Sequence, residues 1–324
     1  MRQHQFLILV LIAVVVITLI ITRETEDEKT LREAKEKAFL RPYYNFPADY
    51  FTAYQYNITT CSIRKSMSQM VFNTMCLLHD PESFLEGNHS ISDTWESNRT
   101  CKYEDKDRFG RFPDEFKNKS SFTRLVFVRD PFDRFISFYL DKCVRKGFCF
   151  DCLDDMRCVV KRIYDTLTNH STSPEFYTAN FTDMHSAPLS WFCQFDRYLK
   201  AHHVLIIGPE IENRQHPIME LTEILEKKNV SDKLILKIVK ETLLGETSHG
   251  THNSDRRKMA ELQIKNDPIV REYLHKIYLN DYLIFPFDRS PLDPEYQDEK
   301  WDELYKQQYA NIITTQDYYS KLLN

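Results

Sequence analysis

The stretch LVFVRDPFDRFISFYLDKC, Leu125 to Cys143, decides the fold prediction. Its first four residues are apolar and partly β-branched, which is typical of a buried strand. Asp130 and Pro131 follow as a good N-cap and a good first helical residue. Beyond them the apolar side chains recur at helical spacing, at Phe132, Phe135, Ile136, Tyr139 and Leu140. The pattern predicts a strand, a tight turn and a helix.

One basic side chain, Arg129, ends this strand, at the place where open α/β sheets bind their ligands. Its guanidinium can bind a phosphate through two parallel hydrogen bonds, and the hydroxyl of Ser137 can add another. Arg134, Ser137 and Asp141 fall on the polar face of the predicted helix. An arginine paired with Asp133 and a serine on a solvated helix face also fit this pattern, because a motif alone is a hypothesis.

The segment RDPFDRFISFY resembles the 3′-phosphate-binding motif of Golgi carbohydrate sulfotransferases, R-[DE]-P-[FY]-x-R-x-x-S-x-Y. The resemblance is closest to the branch containing the chondroitin and dermatan 4-O-sulfotransferases. It implies that Arg129 and Ser137 hold the 3′-phosphate of the sulfate donor, 3′-phosphoadenosine 5′-phosphosulfate (PAPS). It also implies an α/β, P-loop-like sulfotransferase fold with a central parallel sheet flanked by helices.

A second strand, loop and helix lie upstream, where the family binds the 5′ side of the donor. Residues 54–63 (YQYNITTCSI) are predicted as a strand, and helical spacing resumes at Met67. The resemblance assigns Lys65, in the loop between them, to the 5′-phosphosulfate and to stabilisation of the leaving group. A helix N-terminus also attracts anions. Further candidate donor ligands in this segment are Arg64, Ser66, Ser68 and Gln69.

The upstream segment differs from the family at two points. Arg64 stands where the family usually has a proline, and Ser68–Phe72 (SQMVF) replaces its Cys-Thr-Asn-Trp-Lys stretch. The second basic residue of that helix is therefore absent. Two alternatives stay open: Lys65 can be a solvated loop lysine, and the chain can be a membrane-anchored glycoprotein that keeps the fold without activity.

Toward the C-terminus, Asp267–Phe287 is similar to the closing helix of the family, so the resemblance runs discontinuously from about Thr59 to Phe287. The polar segment 248–256 is similar to the loop that the family lays over the nucleotide. We expect Arg256, or its neighbour Arg257, to reach a phosphate, although adjacent arginines at a helix start are also typical of a solvated surface. Other predicted elements are a strand at 203–208 and helices at 215–228 and 232–243.

Sulfonate transfer to a hydroxyl needs a general base, and histidine or glutamate suits that role near neutral pH. The candidates are His79, His89 and His185. His185 is favoured because its segment, DMHSAP, is similar to an Asp-x-His segment of the family. A lone histidine is also often structural. No metal is expected.

The N-terminal segment predicts the compartment. Phe6–Ile21 carries no charge and lies between Arg2 and Arg23, which is slightly short for a full bilayer span. No small-x-small cleavage site follows, which favours a signal anchor with its basic end in the cytosol. We expect a type II Golgi membrane protein with four parts: a cytosolic tail at 1–5, a transmembrane helix at 6–22, a stem at 23–45 and a lumenal catalytic domain at 46–324.

Sequons and cysteines also indicate a lumenal domain. N-x-[ST] sequons occur at Asn57, Asn88, Asn98, Asn118, Asn169, Asn180 and Asn229. Asn57 falls within a predicted strand, so we do not expect a glycan there. The eight cysteines all follow the anchor, where an oxidising lumen allows disulfides. Cys149-x-x-Cys152 lacks the second ligand pair of a zinc site, so we expect disulfides in an insertion after the phosphate-binding helix, with the pairing open.

Composition narrows the function. A net charge of −5 gives no support for nucleic-acid binding. Neither G-x-G-x-x-G nor G-x-x-x-x-G-K-[ST] occurs, which disfavours a lumenal ATP-dependent kinase-like enzyme. A basic strip for a polyanionic glycan is available at Lys142, Arg145, Lys146, Lys161 and Arg162. The resemblance implies sulfonate transfer from PAPS to a hydroxyl of a proteoglycan or glycoprotein glycan, and leaves the sugar and the hydroxyl position open.

Overall fold

The strand predicted at Leu125–Val128 lies inside a mixed five-stranded sheet. The strands are β1 (Asp49–Ala53), β2 (Ile58–Ser62), β3 (Arg108–Phe109), β4 (Thr123–Arg129) and β5 (His202–Ile207), in the order β3-β1-β2-β4-β5. β2, β4 and β5 are parallel. β1 runs antiparallel to both β2 and β3.

This computed structural model describes residues 38–94, 108–109, 122–172, 179–208, 212–244 and 254–292. The described residues from Leu40 onward belong to one compact unit. The predicted transmembrane segment at 6–22 and most of the predicted stem lie outside the described residues. Within the described residues, no helix has the length and apolar character needed to cross a membrane.

The prediction of a parallel sheet holds for three strands, but the sheet as a whole is mixed. Only a 3₁₀ turn, Tyr54–Tyr56, and Asn57 separate β1 from β2. A parallel connection needs a crossover of about a dozen residues or more, so this short link forces antiparallel pairing. The strand predicted at 54–63 therefore starts too early, because residues 54–57 form this turn. Asn57 has the left-handed φ of 52°, and the strand begins only at Ile58.

Helices cover both faces of the sheet. They are α1 (Ser68–His79), α2 (Pro81–Glu86), α3 (Pro131–Phe138), α4 (Met156–Thr172), α5 (Phe181–Ser186), α6 (Phe195–Tyr198), α7 (Glu212–Lys227), α8 (Asp232–Leu244), α9 (Asp255–Asn266) and α10 (Pro268–Ile284). The helices predicted within the described residues are confirmed, with ends that shift by a few residues. α3 starts as predicted, since the Asp130 carboxylate accepts the N–H groups of Phe132 and Asp133. It continues as a π-helix over Tyr139–Val144.

Side chains along β4 alternate between two hydrophobic cores. Val126 and Val128 face the core that contains α4 and α10. Leu125 and Phe127 face the core that contains α1, α7 and α8. The strand is therefore buried on both faces, as its continuous apolar sequence predicts.

Residues upstream of position 46, assigned above to the stem, pack onto this domain. Leu40 is buried, and its N–H donates to the Lys276 carbonyl at 3.1 Å. The indole N–H of Trp191 donates to the Arg41 carbonyl at 2.8 Å. These bonds tie the start of the compact unit to α10 and to the segment before α6.

Three disulfides are described, Cys61–Cys193, Cys143–Cys149 and Cys152–Cys158. The second and third close short loops in the insertion between α3 and α4, where disulfides are expected. Cys149 and Cys152 therefore bond to other partners and not to each other. The first joins β2 to the segment before α6. Cys76 is also disulfide-bonded.

Every sequon asparagine among the described residues is exposed, namely Asn57, Asn88, Asn169, Asn180 and Asn229. Asn98 and Asn118 lie outside them. The expectation that Asn57 is hidden in a strand is wrong, because this residue is in the exposed turn between β1 and β2. It is also at the amino end of β2, away from the loop that carries Lys65.

Candidate functional site

The residues predicted to bind the donor lie at one edge of the sheet. β2 and β4 are parallel neighbours, with Cys61 paired to Val126. The loop after β2, residues 63–67, therefore meets Arg129 at the carboxyl ends of the strands, where α/β sheets bind ligands. Arg129 is near enough to Lys65 to contribute to the lowered pKa of that lysine.

The loop after β2 takes a tight path into α1. Lys65 and Met67 both have left-handed backbone conformations, with φ of 67° and 55°. α1 has neither a side-chain cap nor an acidic residue in its first turn, so nothing in the sequence neutralises its positive end. Ser68 and Gln69 occupy that first turn. The geometry suits an anionic ligand.

Three buried hydrogen-bond donors around this edge have no hydrogen-bond partner among the described residues: Ser66 Oγ, Arg129 Nε and Arg257 Nη1. Folded proteins pair nearly all such atoms, and leaving one unpaired costs about 1–3 kcal/mol. Burial lowers the pKa of Arg129 to about 10, which still leaves it charged at neutral pH. Unpaired donors of this kind fit a ligand that brings several anionic oxygens.

The Arg257 side chain is buried at this edge, whereas Arg256 is exposed. Consecutive helical residues point about 100° apart, so only one of two adjacent arginines can face inward. Arg257 is buried and forms ion pairs with Asp133 and, at 2.8 Å, with Glu261. Asp133 and Arg257 both influence the pKa of Arg129. The ion pair with Asp133 that the alternative interpretation gave to Arg129 is formed by Arg257.

Lys65 is held by a buried carboxylate. Its Nζ lies 2.9 Å from Oδ2 of Asp141, and its side chain is only 11% exposed, so it is not a solvated loop lysine. Asp141 also binds Lys142 at 2.9 Å and Arg145. Burial lowers the pKa of Lys65 to about 8, and Asp141 opposes that effect. Burial would raise the pKa of Asp141, but Lys65 and Lys142 outweigh it and hold the pKa well below its usual range.

The polar face of α3 and its π-helical continuation is buried, because the loop at residues 63–67 (the donor loop) covers it. Ser137 and Asp141 are both buried, and the Arg134 side chain is fully buried. Arg134 Nε donates to the Arg64 carbonyl at 3.0 Å, and its Nη1 donates to the Ala187 carbonyl at 2.7 Å. Arg134 thus connects the loop of Lys65 to the end of α5. The Arg64 side chain turns toward β1, 3.5 Å from Asp49.

The sequence interpretation assigned no role to Arg134 or Asp141. Two signals in the sequence could have identified them. Arg134 is a fixed position of the family motif, and it shares one helix face with Ser137 and Asp141 at spacings of three and seven residues. A polar stripe between two otherwise buried elements is more consistent with an internal polar network than with a solvent-exposed helix face.

Of the three candidate bases, His185 on α5 is close enough to Lys65 for that lysine to contribute to its lowered pKa. Its Nδ1 is 2.7 Å from the Phe181 carbonyl, so Nδ1 carries the proton and Nε2 is left as an acceptor. Burial lowers the pKa of His185 well below 6.5, and Arg64, Lys65 and Lys142 lower it further. The ring is therefore neutral at physiological pH.

The other two histidines lie elsewhere. His79 is exposed at the last residue of α1, roughly 16 Å along that helix from the donor loop. His89 pairs with Asp93 at 3.2 Å and packs on Phe84. Among the described residues, no cluster of three or more histidine, cysteine or acidic side chains is arranged to hold a metal.

Comparisons with known proteins find sequences that are similar to this chain. Residues 48–288 match the Sulfotransferase family. Carbohydrate sulfotransferase chst-1 of Caenorhabditis elegans is 33% identical over 282 residues, which cover 82% of this chain and 84% of that protein. Uncharacterized protein C18B2.2 of the same nematode is 24% identical over 258 residues, covering 76% and 71% of the two chains. No solved structure matches the chain significantly.

Proposed function

The chain belongs to the sulfotransferase family, and from this premise we propose that it transfers a sulfonate group from PAPS to a carbohydrate hydroxyl. One observation carries the proposal. Ser66 Oγ, Arg129 Nε and Arg257 Nη1 are buried without partners at the sheet edge that also holds Lys65. PAPS carries a 3′-phosphate and a 5′-phosphosulfate, whose oxygens can satisfy all three donors.

The donor occupies this edge in two parts. Arg129 and Ser137 bind the 3′-phosphate, and Arg257 contributes there in place of Arg256 because it is the arginine that faces inward. The 5′-phosphosulfate lies against Lys65 and the start of α1. We assign Ser66, Ser68 and Gln69 of the same segment to this phosphosulfate as well. Arg64 contributes mainly through its backbone, since its side chain turns toward Asp49.

Two side chains carry the chemistry. Nε2 of His185 accepts the proton of the attacking carbohydrate hydroxyl, whose oxygen forms a new bond to sulfur. The bond between sulfur and the bridging phosphate oxygen breaks, and Lys65 stabilises the negative charge left on that oxygen. The remaining residues position the reactants, as in phosphoryl transfer, where orientation and charge stabilisation provide most of the catalysis.

The carbohydrate acceptor is proposed from the name of the chst-1 relative and from the basic residues near the site. We assign the acceptor to a proteoglycan or glycoprotein glycan, in line with the chondroitin and dermatan 4-O-sulfotransferase motif. The uncharged segment 6–22, the exposed sequons and the disulfides support a type II Golgi membrane protein with a lumenal catalytic domain. Protease protection in sealed microsomes tests this topology. Digestion of the domain from the cytosolic side would rule it out.

Calorimetry with the full-length protein separates this proposal from its alternatives. We expect binding of 3′-phosphoadenosine 5′-phosphate, the spent donor, and no binding of ATP. Transfer of radiolabelled sulfonate to a panel of glycosaminoglycan and N-glycan acceptors then identifies the acceptor. Binding of ATP alone would favour the kinase-like enzyme. Binding of neither nucleotide would favour an inactive relative.

A further inference from the structure

Two phenylalanine side chains lie exposed and in contact beside the proposed catalytic residues. Phe148 is 54% exposed and Phe181 is 49% exposed. Their ring centroids are 5.6 Å apart, and the rings are nearly perpendicular. Single exposed apolar residues are common, but a paired aromatic surface next to a reaction centre indicates a binding site.

The backbone holds both rings in place. Phe148 lies inside the loop closed by the Cys143–Cys149 disulfide, and its N–H donates to the Lys142 carbonyl at 2.8 Å. Its carbonyl accepts the Thr182 hydroxyl at 3.1 Å, which joins this loop to α5. Phe181 is the first residue of α5, which begins with a reciprocal cap between Asn180 and Asp183. The rings are therefore exposed on fixed backbone.

Direct contacts connect these rings to the proposed chemistry. The Phe181 ring lies 4.3 Å from the His185 ring, centroid to centroid, and its carbonyl fixes the His185 tautomer. Lys142 Nζ lies 5.4 Å from the centre of the Phe181 ring. The same ammonium binds Asp141, the partner of Lys65. A pyranose ring stacked on Phe181 would therefore lie next to His185, the proposed base.

The charge around the rings is positive. Asp141 pairs with Lys65, Lys142 and Arg145, which brings three cationic side chains together beside the rings. The Arg145 side chain is 41% exposed, and Lys146 beside it is also exposed. An anionic partner complements these exposed cations.

We propose that Phe148 and Phe181 form the acceptor platform, on which the apolar C–H face of a pyranose ring stacks, while Lys142, Arg145 and Lys146 select an anionic glycan. The inference rests on the proposed function and names its acceptor class, a chain bearing uronate or sulfate groups. Phe148 supplies stacking surface alone. Phe181 supplies stacking and also positions His185.

The test measures binding and turnover of the full-length protein in detergent with an unsulfated chondroitin hexasaccharide, and with neutral chitohexaose as the comparison probe. Because Asn180 is a sequon next to Phe181, both measurements are made with and without glycan trimming. The variants are Phe148→Ala and Phe181→Ala. The matched control is Leu236→Ala. Leu236 is an exposed leucine on α8, and α8 packs on the opposite face of the sheet.

We expect Phe148→Ala to weaken hexasaccharide binding and raise the acceptor KM by about ten-fold, with kcat and the affinity for 3′-phosphoadenosine 5′-phosphate unchanged. Phe181→Ala should raise KM and also lower kcat, because it touches His185. Phe148→Trp should retain most of the binding. Wild-type protein should prefer the hexasaccharide to chitohexaose, and Arg145→Ala should reduce that preference.

Unchanged hexasaccharide affinity in Phe148→Ala and Phe181→Ala would overturn the platform. So would a change in oligomeric state of these two variants, since the rings would then be covered by a second copy of the chain. If the proposed function itself is wrong, the result differs: wild-type protein then binds no 3′-phosphoadenosine 5′-phosphate. Direct hexasaccharide binding still tests the platform in that case, because it does not depend on turnover.

Discussion

The ammonium nitrogen of Lys65 lies 2.9 Å from Oδ2 of Asp141, which connects the loop after β2 to the π-helix that extends α3. A lysine that stabilises charge on a leaving oxygen must be protonated when the donor binds. Burial works against this by lowering its pKa to about 8. Asp141 opposes the effect of burial, so this buried carboxylate sets how much of the lysine is charged at the working pH.

The first prediction concerns pH. Because the folded pKa of Lys65 is about 8, kcat/KM for the donor should be high below pH 8 and should fall as pH rises through it. Asp141→Asn removes the group that raises this pKa, so the fall should begin at lower pH. A downward shift of one unit would reduce the charged fraction at pH 8 by about five-fold. The control is Asp151→Asn, an exposed aspartate in the same insertion. If kcat/KM fell at the same pH in Asp141→Asn as in wild type, Asp141 would not raise the pKa of Lys65.

The second prediction concerns the role of Lys65 in turnover. If it stabilises the departing oxygen, its contribution grows in the transition state. Lys65→Ala should then lower kcat by roughly 100-fold or more, with a much smaller loss of affinity for 3′-phosphoadenosine 5′-phosphate. Lys233→Ala, an exposed lysine on α8, serves as the control. Near-normal kcat in Lys65→Ala would remove this residue from the mechanism and would favour an inactive relative.

The third prediction uses two adjacent arginines. Arg257 is buried next to Asp133 and carries an unpaired Nη1, whereas Arg256 is exposed. Arg257→Ala should weaken binding of 3′-phosphoadenosine 5′-phosphate by about ten-fold or more, since hydrogen bonds to charged groups contribute about 1.5–3 kcal/mol each. Arg256→Ala should bind within about two-fold of wild type. If calorimetric titrations showed a larger loss of affinity in Arg256→Ala than in Arg257→Ala, Arg256 would be the donor ligand.

The fourth prediction concerns stability. Arg134→Leu removes the donors to the Arg64 and Ala187 carbonyls, which hold the donor loop and the end of α5 together. The lost bonds and the carbonyls left unpaired should lower the free energy of unfolding by about 2–5 kcal/mol. Thermal unfolding of the full-length protein in detergent measures this, with the exposed Arg162→Leu as the control. Equal melting temperatures in the two variants would show that Arg134 does not connect these segments.

The sequence predicted the elements whose signals are local. The apolar run of β4, the cap at Asp130 and the spacing of α3 each act within a few residues, and all three are found. Arg129 could be placed at the sheet edge because strand ends and ligand sites coincide in this class of fold. The antiparallel β1 was missed because its cue is a short turn, Tyr54–Tyr56, inside a segment that otherwise has strand composition.

Features that depend on tertiary contacts could not be predicted in the same way. The burial of Arg134 and Asp141 depends on the loop at 63–67, which is distant in sequence from both residues. The choice between Arg256 and Arg257 depends on the rotation of α9, which sequence alone does not fix for two identical neighbours. The Phe148 and Phe181 pair depends on a hydrogen bond between the disulfide loop and Thr182.

The central claim is that the edge formed by β2 and β4 binds the nucleotide of PAPS through buried donors, and Arg129 tests it most directly. The measurement is the calorimetric affinity of wild type, Arg129→Ala and Arg129→Lys for 3′-phosphoadenosine 5′-phosphate, with folding checked by thermal unfolding. Arg129→Ala should lose about 2–4 kcal/mol of binding free energy, because charge-assisted bidentate bonds are among the stronger ones. Arg129→Lys should recover only part of it, since an ammonium lacks the planar fork. Equal affinity of all three folded proteins would contradict the claim.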